Sequence, residues 1–261
     1  MMSAIEANRI RVYGTDQQAM GAFDGGRITE TKPIGFPGEG SVVDRIGPLF
    51  YWAWASAKEE GAIALHPHRG FEIASYVVSG KLGHYDTLGN QRAVGPGGIQ
   101  VMQTGSGVSH EEAMLEPNTQ FLQIWFEPNL NEAVTRPATY ADYEASDLAP
   151  NAVDGIEFTP LLGDGAPMHL VADATVRMVR ISPNRRYERT VGDGRSIALL
   201  VLDGEGILTD ERRVGVRDFL VLDGEQESTF AIATAPNQYL ELVEIEVPTH
   251  VDYPLYKQPK G

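Results

Sequence analysis

Two stretches of this chain run through the same order of local signals. Residues 75–82, SYVVSGKL, are followed by 94–102, VGPGGIQVM; residues 199–208, LLVLDGEGIL, are followed by 214–222, VGVRDFLVL. Each is an apolar run, a glycine turn and a second short run, then a Val-Gly turn into another apolar strand. Matching order and spacing point to an internal duplication on the scale of a domain. Further short strand-like runs lie at 9–13, 71–79, 81–85 and 121–127, and in the second half at 169–172, 176–181, 239–247. Many short strands punctuated by turns, with few helices, predict an all-β chain of antiparallel sandwiches or barrels. The composition turns polar and loosely helical over 130–151. The expected division is an N-terminal domain over 1–137, a connection with a short helix over 138–150, and a C-terminal domain over 151–261.

Charge and composition then narrow the function. Lys and Arg number 21 against 36 Asp and Glu, a formal net charge of −15. Such a chain repels phosphate backbones and anionic membranes, so direct nucleic-acid binding is not expected. The densest basic cluster, Arg185, Arg186 and Arg189, is interrupted by Glu188. With no cysteine in the chain, disulfides, zinc-thiolate sites, iron–sulfur clusters and thiol nucleophiles are excluded. No run approaches the ~20 apolar residues that span a bilayer. Residues 1–13 lack the apolar stretch of a secretory signal, and a cytoplasmic location is expected.

The chemistry is concentrated in two short motifs, His66-Pro67-His68 and His110-Glu111-Glu112. On a strand, residues i and i+2 share a face. His66 and His68 therefore project together, as do His110 and Glu112. If the two segments face each other, three imidazoles and one carboxylate converge. That donor set suits Fe(II), Mn(II), Ni(II), Co(II) or Cu(II), with zinc less favoured. Glu72 has the parity of His66 and His68, so it is a candidate to orient a ligand or water; a strand-edge position is the alternative. Arg69 and Glu111 have the opposite parity and are expected at the surface. Trp52, Trp54 and Tyr76 are candidates to line a pocket or to pack the core. His169 and His250 are expected to be structural or exposed; for His84 a solvent-facing position is expected, with lining of the first barrel as the alternative.

These motifs carry a family resemblance. His66-Pro67-His68-Arg69-Gly70-Phe71-Glu72 resembles the pirin form of the first cupin motif. Gly95-Pro96-Gly97 and residues 105–112, GSGVSHEE, resemble the second, and Phe121-Leu122-Gln123-Ile124-Trp125 resembles the strand after the site. The resemblance implies two cupin barrels of double-stranded β-helix (jelly-roll) type. It assigns His66, His68, His110 and Glu112 as ligands of one mononuclear divalent metal, Fe(II) foremost, with Mn, Ni, Co, Cu or Zn as other occupants. It implies a dioxygenase-type oxidoreductase that cleaves quercetin-like flavonols with O₂; the alternative is a metal-dependent regulatory protein with a protein partner. Three neutral imidazoles and one carboxylate leave a divalent site at +1, matched to an anionic polyphenol. Glu112, or Glu72 if it faces inward, is then the candidate base. Counting from Gly204 as His66 and His68 stand to Gly80, the second half offers Thr190 and Gly192, and Thr229 or Phe230 in the place of His110. None is a good ligand, so the second barrel is expected to be metal-free.

Overall fold

The structure is a computed structural model describing residues 10–256. Its strands, numbered in chain order, are β1 (Ile10–Tyr13), β2 (Ala19–Phe23), β3 (Ile28–Ile34), β4 (Leu49–Ala57), β5 (Gly61–His68), β6 (Glu72–Ser79), β7 (Leu82–Asp86), β8 (Gln91–Val94), β9 (Ile99–Gln103), β10 (Val108–Met114), β11 (Thr119–Phe126) and β12 (Thr139–Tyr143). The second half continues with β13 (Asn151–Val153), β14 (Ile156–Leu162), β15 (Thr175–Ile181), β16 (Arg186–Val191), β17 (Arg195–Gly204), β18 (Gly206–Leu208), β19 (Arg213–Val214), β20 (Phe219–Leu222), β21 (Ser228–Thr234) and β22 (Leu240–Pro248). One α-helical turn, α1 (Leu130–Ala133), is capped by the Asn129 side chain. No helix among the described residues is long and apolar enough to cross a membrane.

Each half builds a seven-stranded and a four-stranded antiparallel sheet. The first half pairs in the orders β12-β9-β6-β11-β4-β3-β2 and β5-β10-β7-β8. The second pairs in the orders β1-β20-β17-β22-β15-β14-β13 and β16-β21-β18-β19. These orders superimpose strand for strand: β6 stands where β17 stands, β11 where β22 stands, β5 and β10 where β16 and β21 stand. The duplication read from the glycine turns is thus a duplication of topology. The two turns are alike in detail. Gly80 (φ 72°) ends β6 and Gly204 (φ 81°) ends β17. A Cβ at either position would collide, with Thr119 at the first and the Tyr239 carbonyl at the second. Only glycine accepts both the positive φ and the close approach.

Strand alternation sorts the side chains. In the first half Ile28, Ala55, Ala57, Val77, Leu82, Val94, Met114 and Phe121 form the buried cluster inside the barrel. In the second, Ile197, Leu199 and Val201 of β17 pack with Leu220, Phe230, Ile232 and Leu242.

The expected boundaries need correction. One compact unit comprises Gln17–Leu148, Leu170–Asp173 and the segment from Asp252; the other comprises the described residues before Gln17, Ala149–His169 and Ala174–Val251. β1 therefore belongs to the C-terminal unit, where Ile10 pairs with Leu222. The presumed connection is part of the first barrel, since β12 closes its sheet with Thr139 opposite Gln103. The short helix lies before it, at Leu130–Ala133. Residues 169–172, expected as a strand, form none. An isolated edge strand carries no local mark of the sheet it will join, because edge pairing is a long-range choice.

Candidate metal centre

β5 and β10 are neighbours, and their register sets His66 opposite His110 and His68 opposite Val108. β5 is the edge of its sheet, which is where a strand tolerates Pro67 and its missing N–H. The strand is not regular. His110 pairs with His66, whereas Glu112 pairs with Ile63, so β5 carries a bulge at Ala64 and Leu65. The bulge has a consequence for side-chain direction. Ile63 packs against the barrel core; three residues on, His66 shares that inward face, which a regular strand of period 2 forbids.

The three imidazoles converge. Ring centroids lie 4.6 Å apart for His66–His68 and His66–His110, and 4.8 Å apart for His68–His110. One ring nitrogen from each falls within 4.8 Å of the others. His66 Nδ1 lies 2.8 Å from the Ala64 carbonyl, which makes it the N–H donor and leaves the lone pair on Nε2. His68 Nε2 and His110 Nε2 are buried without a hydrogen-bond partner. Burial, followed by the neighbouring imidazoles, pulls His68 and His110 down to about 3. Both are neutral at physiological pH, the form that ligates a cation. Two buried lone pairs with nothing to bond, with a third nitrogen converging on them, suit a divalent ion of the first transition row.

Glu112 is 1 % exposed. One carboxylate oxygen accepts from Ser75 Oγ at 2.8 Å and the other from Gln123 Nε2. It lies outside the group of mutually close donor atoms, but its charge acts on His68, and each oxygen keeps a lone pair. The expected ligands are thus three converged histidines and a carboxylate oriented beside them.

Glu72 does not join them. Gly70 (φ 84°) breaks the chain between β5 and β6, and β6 belongs to the other sheet. Ser75 and Val77 face the barrel interior, so Glu72, of opposite parity, faces away. Its carboxylate accepts from Val171 N at 2.7 Å, Ala172 N at 2.8 Å and Gln103 Nε2 at 2.7 Å. It lines a separate cavity of about 250 Å³ with Phe71, Arg136 and Val171. The parity that linked it to His66 and His68 fails because no single strand spans both.

Trp52, Trp54 and Tyr76 are buried on the outward faces of β4 and β6. The aromatic groups beside the histidines are others. Trp125 meets His68 edge-on at 4.9 Å and packs with Tyr51 at 5.1 Å, Phe36 at 5.8 Å and Phe71 at 6.4 Å. The signal for it was present in FLQIW, where Trp125 shares parity with Phe121 and Gln123. His84 is also deeper than expected. It is 4 % exposed, bonds Asp86 at 2.9 Å, stacks on Tyr140 at 4.0 Å and lies 5.6 Å from the His110 ring. His169, His250 and Arg69 are exposed and Glu111 is half-buried. A cleft of about 540 Å³ opens beside His68, lined by Pro67, Arg69, Thr87, Val108 and Ser109.

The second barrel fills the equivalent place with its own groups. Strand register sets Arg189, opposite Phe230, where His66 stands opposite His110; Thr190, expected there by counting, is exposed and pairs with Thr229. Gln123, between Ala53 and Ser75, corresponds to Glu244, between Arg177 and Leu199. Arg177 Nη2 lies 2.6 Å from Glu244 Oε1, and the Tyr187 hydroxyl donates to Oε2 at 2.6 Å. A guanidinium occupies the interior where the first barrel presents lone pairs.

The family model described as Pirin matches residues 42–126. The chain is 30 % identical over 184 residues to a Pseudomonas aeruginosa protein named "Putative quercetin 2,3-dioxygenase", covering 69 % of this chain and 75 % of that one. It is 29 % identical over 192 residues to a pirin-like protein of Caulobacter vibrioides, covering 70 % and 69 %. Two solved structures share the fold. A bacterial pirin from Escherichia coli, in complex with nickel(II), superposes with a TM-score of 0.76 at 19 % identity over 92 % of this chain and 99 % of that one. A quercetin 2,3-dioxygenase from Acinetobacter baumannii gives 0.80 at 17 % identity over 98 % and 84 %.

Proposed function

The chain belongs to the pirin family, and from that premise we propose that it is a metal-dependent oxidoreductase that cleaves quercetin-like flavonols with O₂. One divalent ion, Fe(II) foremost, is held by His66, His68 and His110, with Glu112 as fourth ligand. The observation that carries this reading is the trio of converged imidazoles, two of them with buried Nε2 atoms that bond to nothing else. When bound, the ion supplies Lewis acidity and one-electron redox chemistry toward a hydroxylated substrate. The rest falls to the chain. The imidazoles keep their lone pairs because burial holds His68 and His110 neutral. Glu112 offsets part of the metal charge and accepts the proton of a substrate hydroxyl, while Ser75 and Gln123 hold its plane. Trp125, with Phe36 and Phe71 behind it, offers an aromatic wall against which a planar ligand stacks.

The activity for which the Pseudomonas aeruginosa relative is named supports the substrate class. The test is metal analysis of anaerobically purified protein followed by oxygen uptake with a panel of flavonols. One equivalent of metal and flavonol-dependent uptake are expected. If metal-replete protein consumes no oxygen with any flavonol, a metal-dependent binding protein becomes the better reading.

A further inference from the structure

We infer that Gln123 is a positioning residue of this centre: one end of its amide fixes the Glu112 carboxylate, and the other is itself fixed by Trp125. This rests on Glu112 serving the metal, as proposed above.

Gln123 is buried on β11 and faces the barrel interior. Its Nε2 donates to Glu112. Its Oε1 accepts from Trp125 Nε1 at 3.2 Å. An indole N–H can only donate. The amide oxygen must therefore face Trp125 and the NH₂ must face Glu112; the reversed amide would set N–H against N–H and oxygen against carboxylate. Trp125 thus decides which way Gln123 points. Ser75 Oγ, from β6, donates to the other carboxylate oxygen at 2.8 Å. Two donors from two strands hold the plane of Glu112, and the lone pairs that remain are aimed by geometry rather than by chance. The loop closes through the ring of Trp125, which meets His68 at 4.9 Å.

The second barrel gives an independent comparison. By strand register, Ser75, Gln123 and Trp125 correspond to Leu199, Glu244 and Glu246. In that barrel Arg189 and Phe230 stand in place of the facing histidines, and all three supports are replaced with them. The residue at the Gln123 position there is spent on Arg177 and Tyr187. The hydroxyl, amide and indole occur together in the barrel that has imidazoles to serve.

The experiment is Co(II) titration of the full chain, followed by its visible ligand-field spectrum. The set comprises wild type, Gln123→Leu, Trp125→Phe, Glu112→Gln and the double variant Glu112→Gln/Gln123→Leu, with metal-free melting recorded for each. Removing a partner of a metal-binding carboxylate typically costs about 10–100-fold in affinity. That loss, with a changed spectrum, is expected for Gln123→Leu. Trp125→Phe keeps the ring and removes the N–H, so a smaller loss in the same direction is expected. In the Glu112→Gln background the Gln123→Leu change should cost no more than about twofold, because the carboxylate it positions is gone. An unchanged affinity and spectrum for Gln123→Leu overturns the proposal. So does an equal loss in both backgrounds, which marks a general packing role. If Gln123→Leu fails to fold, Ser75→Ala replaces it in the same cycle. Wild-type protein that takes up no cobalt overturns the metal centre itself, whereas normal wild-type uptake with an unaffected Gln123→Leu overturns only the role of Gln123.

Discussion

His66, His68 and His110 contribute most of the donor set, so His66→Ala or His110→Ala should abolish tight metal binding while His169→Ala leaves it intact. Metal content after dialysis at a fixed free-metal level distinguishes these outcomes, and retention in His110→Ala would remove the assignment. Two of these residues, His68 and His110, make the metal-free protein acid-sensitive. Their folded-state pKa, about 3 for His68 and His110, lies below the ~6.5 of an unfolded histidine. Between those values the unfolded chain binds more protons, up to about two, so stability falls as pH drops from 6.5 toward 3. Metal-free His110→Asn should show a shallower decline of melting temperature over this window; an equal slope would mean that the ring is not desolvated. At this scale the sequence was largely legible, since alternation alone grouped His66 with His68 and His110 with Glu112. It failed for His84, whose place is set by Tyr140 from far along the chain, although Asp86 shares its face two residues on, and for Trp125, which was read only as part of a strand because its neighbours across the sheet were unknown.

The element that aims the centre is the bulge in β5. Ile63 and His66 both face inward only because Ala64 and Leu65 together take one place in the ladder. Deleting Leu65, which is 50 % exposed, restores the regular period. Either Ile63 leaves the core or both histidines leave the site, because a one-residue slip reverses every side chain beyond it. The expected result is loss of Co(II) affinity by more than about 100-fold with β-sheet circular dichroism retained; wild-type affinity would show that the bulge is dispensable. The strand runs around glycine turns could be read from the sequence, including β9, β20 and most of β6, β7, β11 and β17. The bulge could not, and neither could the break at Gly70 that turned Glu72 to the other face. Irregular positions are fixed by pairing with distant strands rather than by local propensity.

At the scale of the whole molecule, one topology is used twice with different interiors. The first barrel gathers neutral nitrogen donors around a space that a cation fits. The second supplies its own cation, Arg177, to a Glu244 that is 2 % exposed. This predicts one metal ion per chain and a clean separation of two kinds of variant. Arg177→Met leaves Glu244 with the Tyr187 hydroxyl and with Arg189 at 3.7 Å and should destabilise the protein by about 2 kcal/mol, below the range for breaking a buried pair because a second cation remains and the Arg177 guanidinium is partly exposed. Metal stoichiometry and Co(II) affinity should not change, since no donor is touched. His110→Ala should do the reverse, with little effect on metal-free melting and loss of the metal-dependent increment. For wild type that increment is about 2.7 kcal/mol at a free metal level 100 times the dissociation constant. Paired metal-free and metal-loaded melting curves on the two variants test both statements at once. Two equivalents of tightly bound metal, or a metal-dependent increment that survives in His110→Ala, would contradict the division of labour between the barrels.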